Sequence, residues 1–445
     1  MDNVTDIFIK YLEDVNHSLM TDGIRNKAQE CLIDYLGAAY AGAHFMGNRT
    51  DGYISESTGP CVLLGKGGLR SDVRTAAFIN GFNAHVMELD DGHRFGMIHL
   101  GAVIVSAVMA VGQLKNISYE SILRGIVMGY EAAVRLALSI QPGHKKAGFH
   151  TTGTCGTIGA AAGCAYAMGF DVRQLKSALS AAATSASGLL EIQEDASELK
   201  PYNAAYASMS GVSAALIGEC ALIGSDDILG GRRGFVRLFT DSFSLNALAE
   251  RNKYCEIERI YVKPYASCRH CHSAIEAALE LSFGTGCAAA DIKEIIIDIY
   301  KLAINGHDHK QIKGVASAKL SMPYAVAAAF VLHSGDLETF NIENLTNDDI
   351  LDLISKITVR ERAEFTEEFP GKRIAEVSVI LKDGTKYSKR VDYAKGEPEN
   401  PMSSKEILDK FYFVMKWCGQ KERAKELINL FSKENVLSSE IYKIL

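Results

Sequence analysis

Between about residues 24 and 250 the apolar positions return every three or four residues, as in Ala28, Cys31, Leu32, Tyr35 and Leu36, with Gly and Asp punctuating the pattern. This spacing predicts an all-helical domain. Two stretches within it, 156–167 and 178–188, are so rich in Ala and Gly that they predict helices whose backbones approach closely. After residue 255 the texture changes. Segments 257–262, 295–299 and 377–381 carry β-branched alternation, and Asp383-Gly384 before 387–391 reads as a hairpin turn. Segments 274–281 and 324–332 keep a helical pattern, and from Ser403 onward charged amphipathic helices return, which are expected to pack back on the first domain. The predicted fold class is therefore mostly α, a large all-helical domain plus a smaller α+β domain.

Length agrees with two cores, because 445 residues exceed the roughly 250 to 300 at which one core stops growing. The longest largely apolar run, 102–111, is far shorter than the ~20 residues of a spanning helix and predicts a buried helix. The first residues are acidic and lead into an amphipathic stretch, 7–19, rather than a basic start with an apolar core, so the expected location is the cytoplasm. A net charge of -7 without a basic face argues against nucleic acid as a partner. No membrane segment is expected either.

Five segments concentrate titratable residues. Glu88-Leu89-Asp90-Asp91-Gly92-His93-Arg94, followed by His99, pairs carboxylates with histidines, an arrangement that serves acid–base work or caps the next helix. Gly148-Phe149-His150-Thr151-Thr152-Gly153-Thr154 opens a helix whose free N–H groups suit an anion, although it lacks the Gly-Lys-Ser/Thr ending of a P-loop. Lys200-Pro201 marks a helix start, and Ser321-Met322-Pro323-Tyr324 places a Tyr at another. The densest segment is Lys263-Pro264-Tyr265-Ala266-Ser267-Cys268-Arg269-His270-Cys271-His272, a local cationic excess in an acidic chain that points to an anion site. Its Cys268-x-x-Cys271-His272 also matches a c-type haem signature. Without an export signal haem is disfavoured; ligands at 268, 270, 271 and 272 are too crowded for one tetrahedral zinc, so no metal and no cofactor is expected.

These segments, in this order, together with Ser187-Gly188-Leu189-Leu190 and Gly231-Arg232-Arg233-Gly234-Phe235, resemble the MmgE/PrpD family, and the likeness spans nearly the whole chain. The family's activities include 2-methylcitrate dehydratase, cis-aconitate decarboxylase and iminodisuccinate epimerase. The resemblance implies a cofactor-free homodimer with a large helical domain, 1–262 with 403–445, and a smaller α+β domain, 263–402, and a site in the cleft between them. It places family site positions on Asp90 or Asp91, His99, His150, Lys200, Lys263 and Tyr324. Two departures stand out: Gly92 occupies a position that is commonly Thr, and Cys268 one that is His in the decarboxylase-like members.

The shared chemistry is a carbanion beside a carboxylate, which cations stabilise as charge develops. The expected function is a 2-methylcitrate dehydratase-like hydro-lyase on a small di- or tricarboxylate, with epimerase or decarboxylase as alternatives and a non-enzymatic carboxylate- or metal-binding protein as the outside reading. The expected catalytic set is His99, His150, Asp91, Tyr324 and Lys200. Substrate binding is expected from Lys263, Arg269, His270, His272, Asp90 and His93, with Arg269 making a bidentate carboxylate contact.

Overall fold

The computed structural model describes residues 3–18, 20–54, 58–194, 197–286, 288–433 and 435–445. Met1, Asp2 and Leu19, part of the N-terminal pattern read above, lie outside the described residues. No helix among the described residues is long and apolar enough to cross a membrane.

The helical periodicity of the first 250 residues becomes one core built from Asp22–Met46, Val73–Val86, Gly101–Lys115, Tyr119–Ile140, Thr151–Ala167 and Lys200–Gly218. Thr151–Ala167 is buried along its whole length. Its small residues make that possible. A methyl at Gly159 would lie 2.5 Å from the Ala133 Cβ and 2.8 Å from the Gly129 carbonyl, and one at Gly163 would lie 2.7 Å from the Gly125 carbonyl. The two helices thus touch backbone to backbone, as the Ala/Gly pattern predicts. The second small-residue helix stops earlier than expected, at Ser185. The chain then turns extended and His150 N–H bonds to the Gly188 carbonyl at 3.1 Å.

The smaller core surrounds a four-stranded sheet in the order Ile357–Glu361, Ile292–Ile299, Ala375–Leu381, Lys386–Val391, the first pair parallel and the others antiparallel. Helices His272–Thr285 and Met322–Leu332 contribute to the same core. The Asp383-Gly384 turn closes the hairpin, with Gly384 at φ 91°. The edge strand Ile357–Glu361 is short and polar and carries too little alternation to read from sequence. The strand expected at 257–262 does not form. One 3-10 turn, Glu256–Arg259, replaces it, and the segment's backbone pairing is limited to isolated contacts, Tyr261 exchanging two hydrogen bonds with Gly92 and Val262 N–H bonding to the Gly396 carbonyl.

Ser403 caps Ser404–Trp417 in a box with Glu406, and this helix lays Phe411 against the Gly37 face of Asp22–Met46. The closing helices therefore sit in the first core. The chain leaves that core and returns to it at one place: Val262 N–H bonds to the Gly396 carbonyl, where a φ of 90° and the nearby Val262 carbonyl exclude any side chain. Ala38, Ala41, Met87, Leu89 and Val414 join the smaller core from the other side, so a wall is shared.

At an ordinary helix position Gly→Ala stabilises by about 1 kcal/mol. Here Gly159→Ala is expected to destabilise by about 1–3 kcal/mol in urea unfolding, through overpacking against the facing helix. A gain in stability would refute the crossing.

Candidate active site

Where the two cores meet, Val73–Val86 ends and the chain passes through Glu88 in the left-handed region, φ 54°, which is unfavourable for a side chain of this kind. The turn aims its carboxylate inward. One oxygen takes the Lys200 ammonium, from the first residue of Lys200–Gly218, and the other takes Lys263 Nζ at 3.0 Å. Burial works against the charge on Glu88, yet Lys200 and then Lys263 hold it well below the usual carboxylate range. Asp90 lies beside this bridge, 2.7 Å from His85 Nδ1, 3.4 Å from His99 Nδ1 and 3.7 Å from Lys263 Nζ. All these groups except His99 are buried nine-tenths or more.

A cavity of about 270 Å³ opens next to the bridge, walled by His99, His150 and Lys145 from the helical core and by Cys268, Arg269, His270, His307 and Arg373 from the other side, with Lys200 between. Neighbouring groups set the two histidines on the helical side differently. His99 Nδ1 lies 2.9 Å from the Asp91 carbonyl, an acceptor only, so Nδ1 carries the proton and Nε2 keeps its lone pair. His150 Nδ1 instead accepts from Asn203 Nδ2 at 2.9 Å, and that amide is oriented by its second contact with the Leu189 carbonyl. The neutral His150 ring therefore presents Nε2–H. Burial, reinforced by the nearby ammoniums, pushes both rings well below the ordinary imidazole range, so both are neutral at pH 7.

The cations differ in how many hydrogen-bond donors they have left. Arg269 gives Nε and Nη2 to Glu397, Nη1 to His272 Nδ1 and the Lys395 carbonyl, and Nη2 also to the Ala394 carbonyl. All five of its donors are used, so the expected bidentate grip on a substrate does not fit this geometry. Arg373, which the sequence reasoning missed, has Nη1 3.8 Å from Glu397 but leaves buried Nε and Nη1 without a hydrogen-bond partner, and its guanidinium lies 5.3 Å from the Tyr261 ring centroid. Lys145 was missed as well. Its ammonium has no carboxylate within ion-pair range among the described residues, and burial followed by Arg373 lowers it to about 8.

Other expected site residues are used structurally. Tyr324 donates to the Thr339 carbonyl at 2.8 Å from inside the smaller core and does not line the cavity. His93 is buried, accepting from Gly96 N–H and lying 3.3 Å from Glu256. His272 has both nitrogens engaged, by Arg269 and the Ser267 carbonyl. Asp91 accepts from Tyr130 at 2.6 Å and from Gly101 N–H at 2.7 Å, tying down the first residue of Gly101–Lys115. This is the capping alternative, reached across the intervening loop. His270 does reach the cavity, with Nδ1 2.6 Å from the Tyr300 hydroxyl.

Some missed residues had a local signal. Lys145 lies in a basic turn just before His150, and His307 in Gly306-His307-Asp308-His309. Arg373 and His85 had none. Among the described residues His85, Asp90 and His99 have ligating atoms within 4.8 Å of one another and form the group able to hold a metal ion, although Lys263 already compensates Asp90.

Glu88→Gln leaves the buried Lys200 ammonium without its carboxylate and Lys263 with Asp90 at 3.7 Å, and is expected to cost about 3–5 kcal/mol in chemical denaturation. Asp91 is raised to about 7 by burial, so the folded state keeps a proton that unfolded Asp loses near pH ~3.9. Folding stability from this group falls as pH rises from about 4 to about 7. Asp91→Asn removes that slope, and its melting temperature should gain on the wild type across this window in a pH series.

Residues 6–248 match the MmgE/PrpD N-terminal domain and residues 265–434 the MmgE/PrpD C-terminal domain. The cis-aconitate decarboxylase of Mus musculus is 23% identical over 92% of this chain and 86% of its own length. That of Aspergillus terreus is 23% identical over 93% and 90%, and that of Homo sapiens 22% identical over 92% and 87%. With both domain matches in chain order and relatives aligned almost end to end, this chain belongs to the MmgE/PrpD family.

Proposed function

We propose that the protein is a hydro-lyase of the 2-methylcitrate dehydratase kind, acting on a small di- or tricarboxylate through its own side chains. The observation that carries this is the pair of opposite tautomers, a lone pair on His99 and an N–H on His150, at one cavity with Lys145 and with Arg373, whose Nε and Nη1 have no hydrogen-bond partner. Eliminating water requires a base for the proton beside a carboxylate and donors for the charge that follows. His99 Nε2 takes the proton. The electron pair moves into the carboxylate, where Arg373, Lys145 and the His150 N–H stabilise the aci-carboxylate. Lys200, which lines the cavity, shares its ammonium between Glu88 and the incoming carboxylate, while Lys263 and Asp90 keep that assembly neutral. With Tyr324 withdrawn into the core, the departing hydroxyl needs another source of its proton.

A second reading, decarboxylation, is favoured by the names of the relatives, which are cis-aconitate decarboxylases. Loss of carbon dioxide leaves the electron pair on carbon and calls for a proton donor only, so the His99 lone pair would have no task.

Proton NMR of citrate, 2-methylcitrate and cis-aconitate incubated with the enzyme in deuterated water separates the two. The hydro-lyase reading expects interconversion of hydroxy acid and alkene with no carbon dioxide; carbon dioxide release would decide for the decarboxylase, and inert substrates would sink both. His99→Gln and His150→Gln are each expected to lower turnover about 100-fold or more with an unchanged circular dichroism spectrum.

A further inference from the structure

Cys268 and His307 face each other across 3.7 Å, Sγ to Nε2, on the wall of the cavity. They lie 39 positions apart in sequence. The junction at the end of Val315–Leu320 holds both in place. Cys268 N–H bonds to the Lys319 carbonyl at 2.9 Å, His307 Nδ1 to the Leu320 carbonyl at 2.9 Å, and Met322 N–H to the His307 carbonyl at 2.8 Å. Because the Leu320 carbonyl accepts only, Nδ1 of His307 must carry a proton, and in the neutral ring the Nε2 lone pair points at sulfur. The pair therefore shares one proton between Sγ and Nε2.

We infer that Cys268 and His307 form the general acid of this site, supplying the proton that leaves with the substrate's hydroxyl; this rests on the hydro-lyase reading above. The proton they share, held as a thiolate beside an imidazolium, leaves His307 Nε2 for the departing oxygen as the C–O bond breaks with its electron pair on oxygen. Water is released, the pair of electrons from the C–H bond becomes the new double bond, and His99 holds the abstracted proton. The dyad is left as a thiolate beside a neutral imidazole. Its net charge falls by one, and the surroundings favour that direction: the ammoniums of Lys145, Lys200 and Lys263 act on Cys268, opposed by Glu88. Taking up a proton would instead add a positive charge among those ammoniums, next to His270, whose ring centroid is 5.5 Å from that of His307, and Arg373. The acidity of the pair fits this role. Burial would push the thiol up, but His307 brings it to about 6, while burial lowers His307 and Cys268 raises it above its ordinary value. Such a shift is characteristic of a thiol paired with imidazole.

The first test needs no substrate. Iodoacetamide labelling, followed by mass spectrometry from pH 5 to 9, compares Cys268 with the exposed Cys220. Cys268 is expected to label with a midpoint near pH ~6, well below the ordinary thiol value of ~8.5. His307→Asn, which retains a donor for the Leu320 carbonyl, should slow Cys268 labelling at pH 6.5 by about ten-fold or more. The second test uses turnover. Cys268→Ser is expected to lose elimination about 100-fold while still exchanging the proton beside the carboxylate for deuterium, since His99 performs that earlier step. Wild-type elimination in Cys268→Ser overturns the acid role. An ordinary-thiol labelling profile in an enzyme that turns over overturns the dyad and leaves the hydro-lyase reading standing. A shifted profile in a protein that turns over no polycarboxylate overturns the hydro-lyase reading, and the acid role with it.

Discussion

The carboxylate of Glu88 is shared by two ammoniums, and the neighbouring geometry follows from that bridge. Lys200 arrives on the first turn of a helix of the large core, Lys263 at the crossing where the chain leaves that core, and Glu88 from a turn with an unfavourable backbone angle. Each charge alone would be costly to bury. Together they are neutral enough to sit between two apolar cores, and Asp90 links the bridge to the His85 and His99 rings. The bridge thereby pins three distant stretches of chain to one point and leaves a cavity beside it. Left-handed backbone at a non-glycine residue costs on the order of 1–3 kcal/mol, and two charge-assisted hydrogen bonds at Glu88 offset it.

Around that point, groups of the same type are given different tasks by what their far side touches. His99 and His150 are both buried imidazoles at one cavity, but a carbonyl behind one and an amide N–H behind the other give them opposite tautomers. Arg269 and Arg373 both approach Glu397, yet Arg269 is saturated by Glu397, His272 and two carbonyls while Arg373 keeps unpaired donors. Cys268 and Cys271 sit three residues apart. His307 makes Cys268 acidic, whereas burial holds Cys271 well above the ordinary thiol range. Chemistry in this site is assigned by the outward hydrogen bond of each side chain.

The local parts of this structure were readable in one dimension. Helical periodicity, the Ser403–Glu406 cap, the Asp383-Gly384 hairpin and the close crossing implied by Gly159 and Gly163 each depend on residues a few positions apart, or on a composition that only one packing suits. The order of the motifs carried the family. His99, His150, Lys200 and Lys263, which the structure brings to the Glu88 bridge and its cavity, each sit in one of the polar segments that the sequence singles out.

What the sequence could not contain is which charges find each other. Arg269 stood in the most cationic segment and all its donors are used, by Glu397, 128 positions away, and by its other partners, while Arg373, with no local signal, keeps donors without a hydrogen-bond partner. Tyr324 matched a motif but its hydroxyl was taken by Thr339. The strand expected at 257–262 had the right alternation and no sheet edge to join. Propensity and patterning act over a few residues, so the sequence alone determined most of the helices, the Asp383-Gly384 hairpin and the two-part architecture. Tautomers, saturated donors and the 3.7 Å approach of Cys268 to His307 depend on long-range placement, and only the tertiary structure decided them.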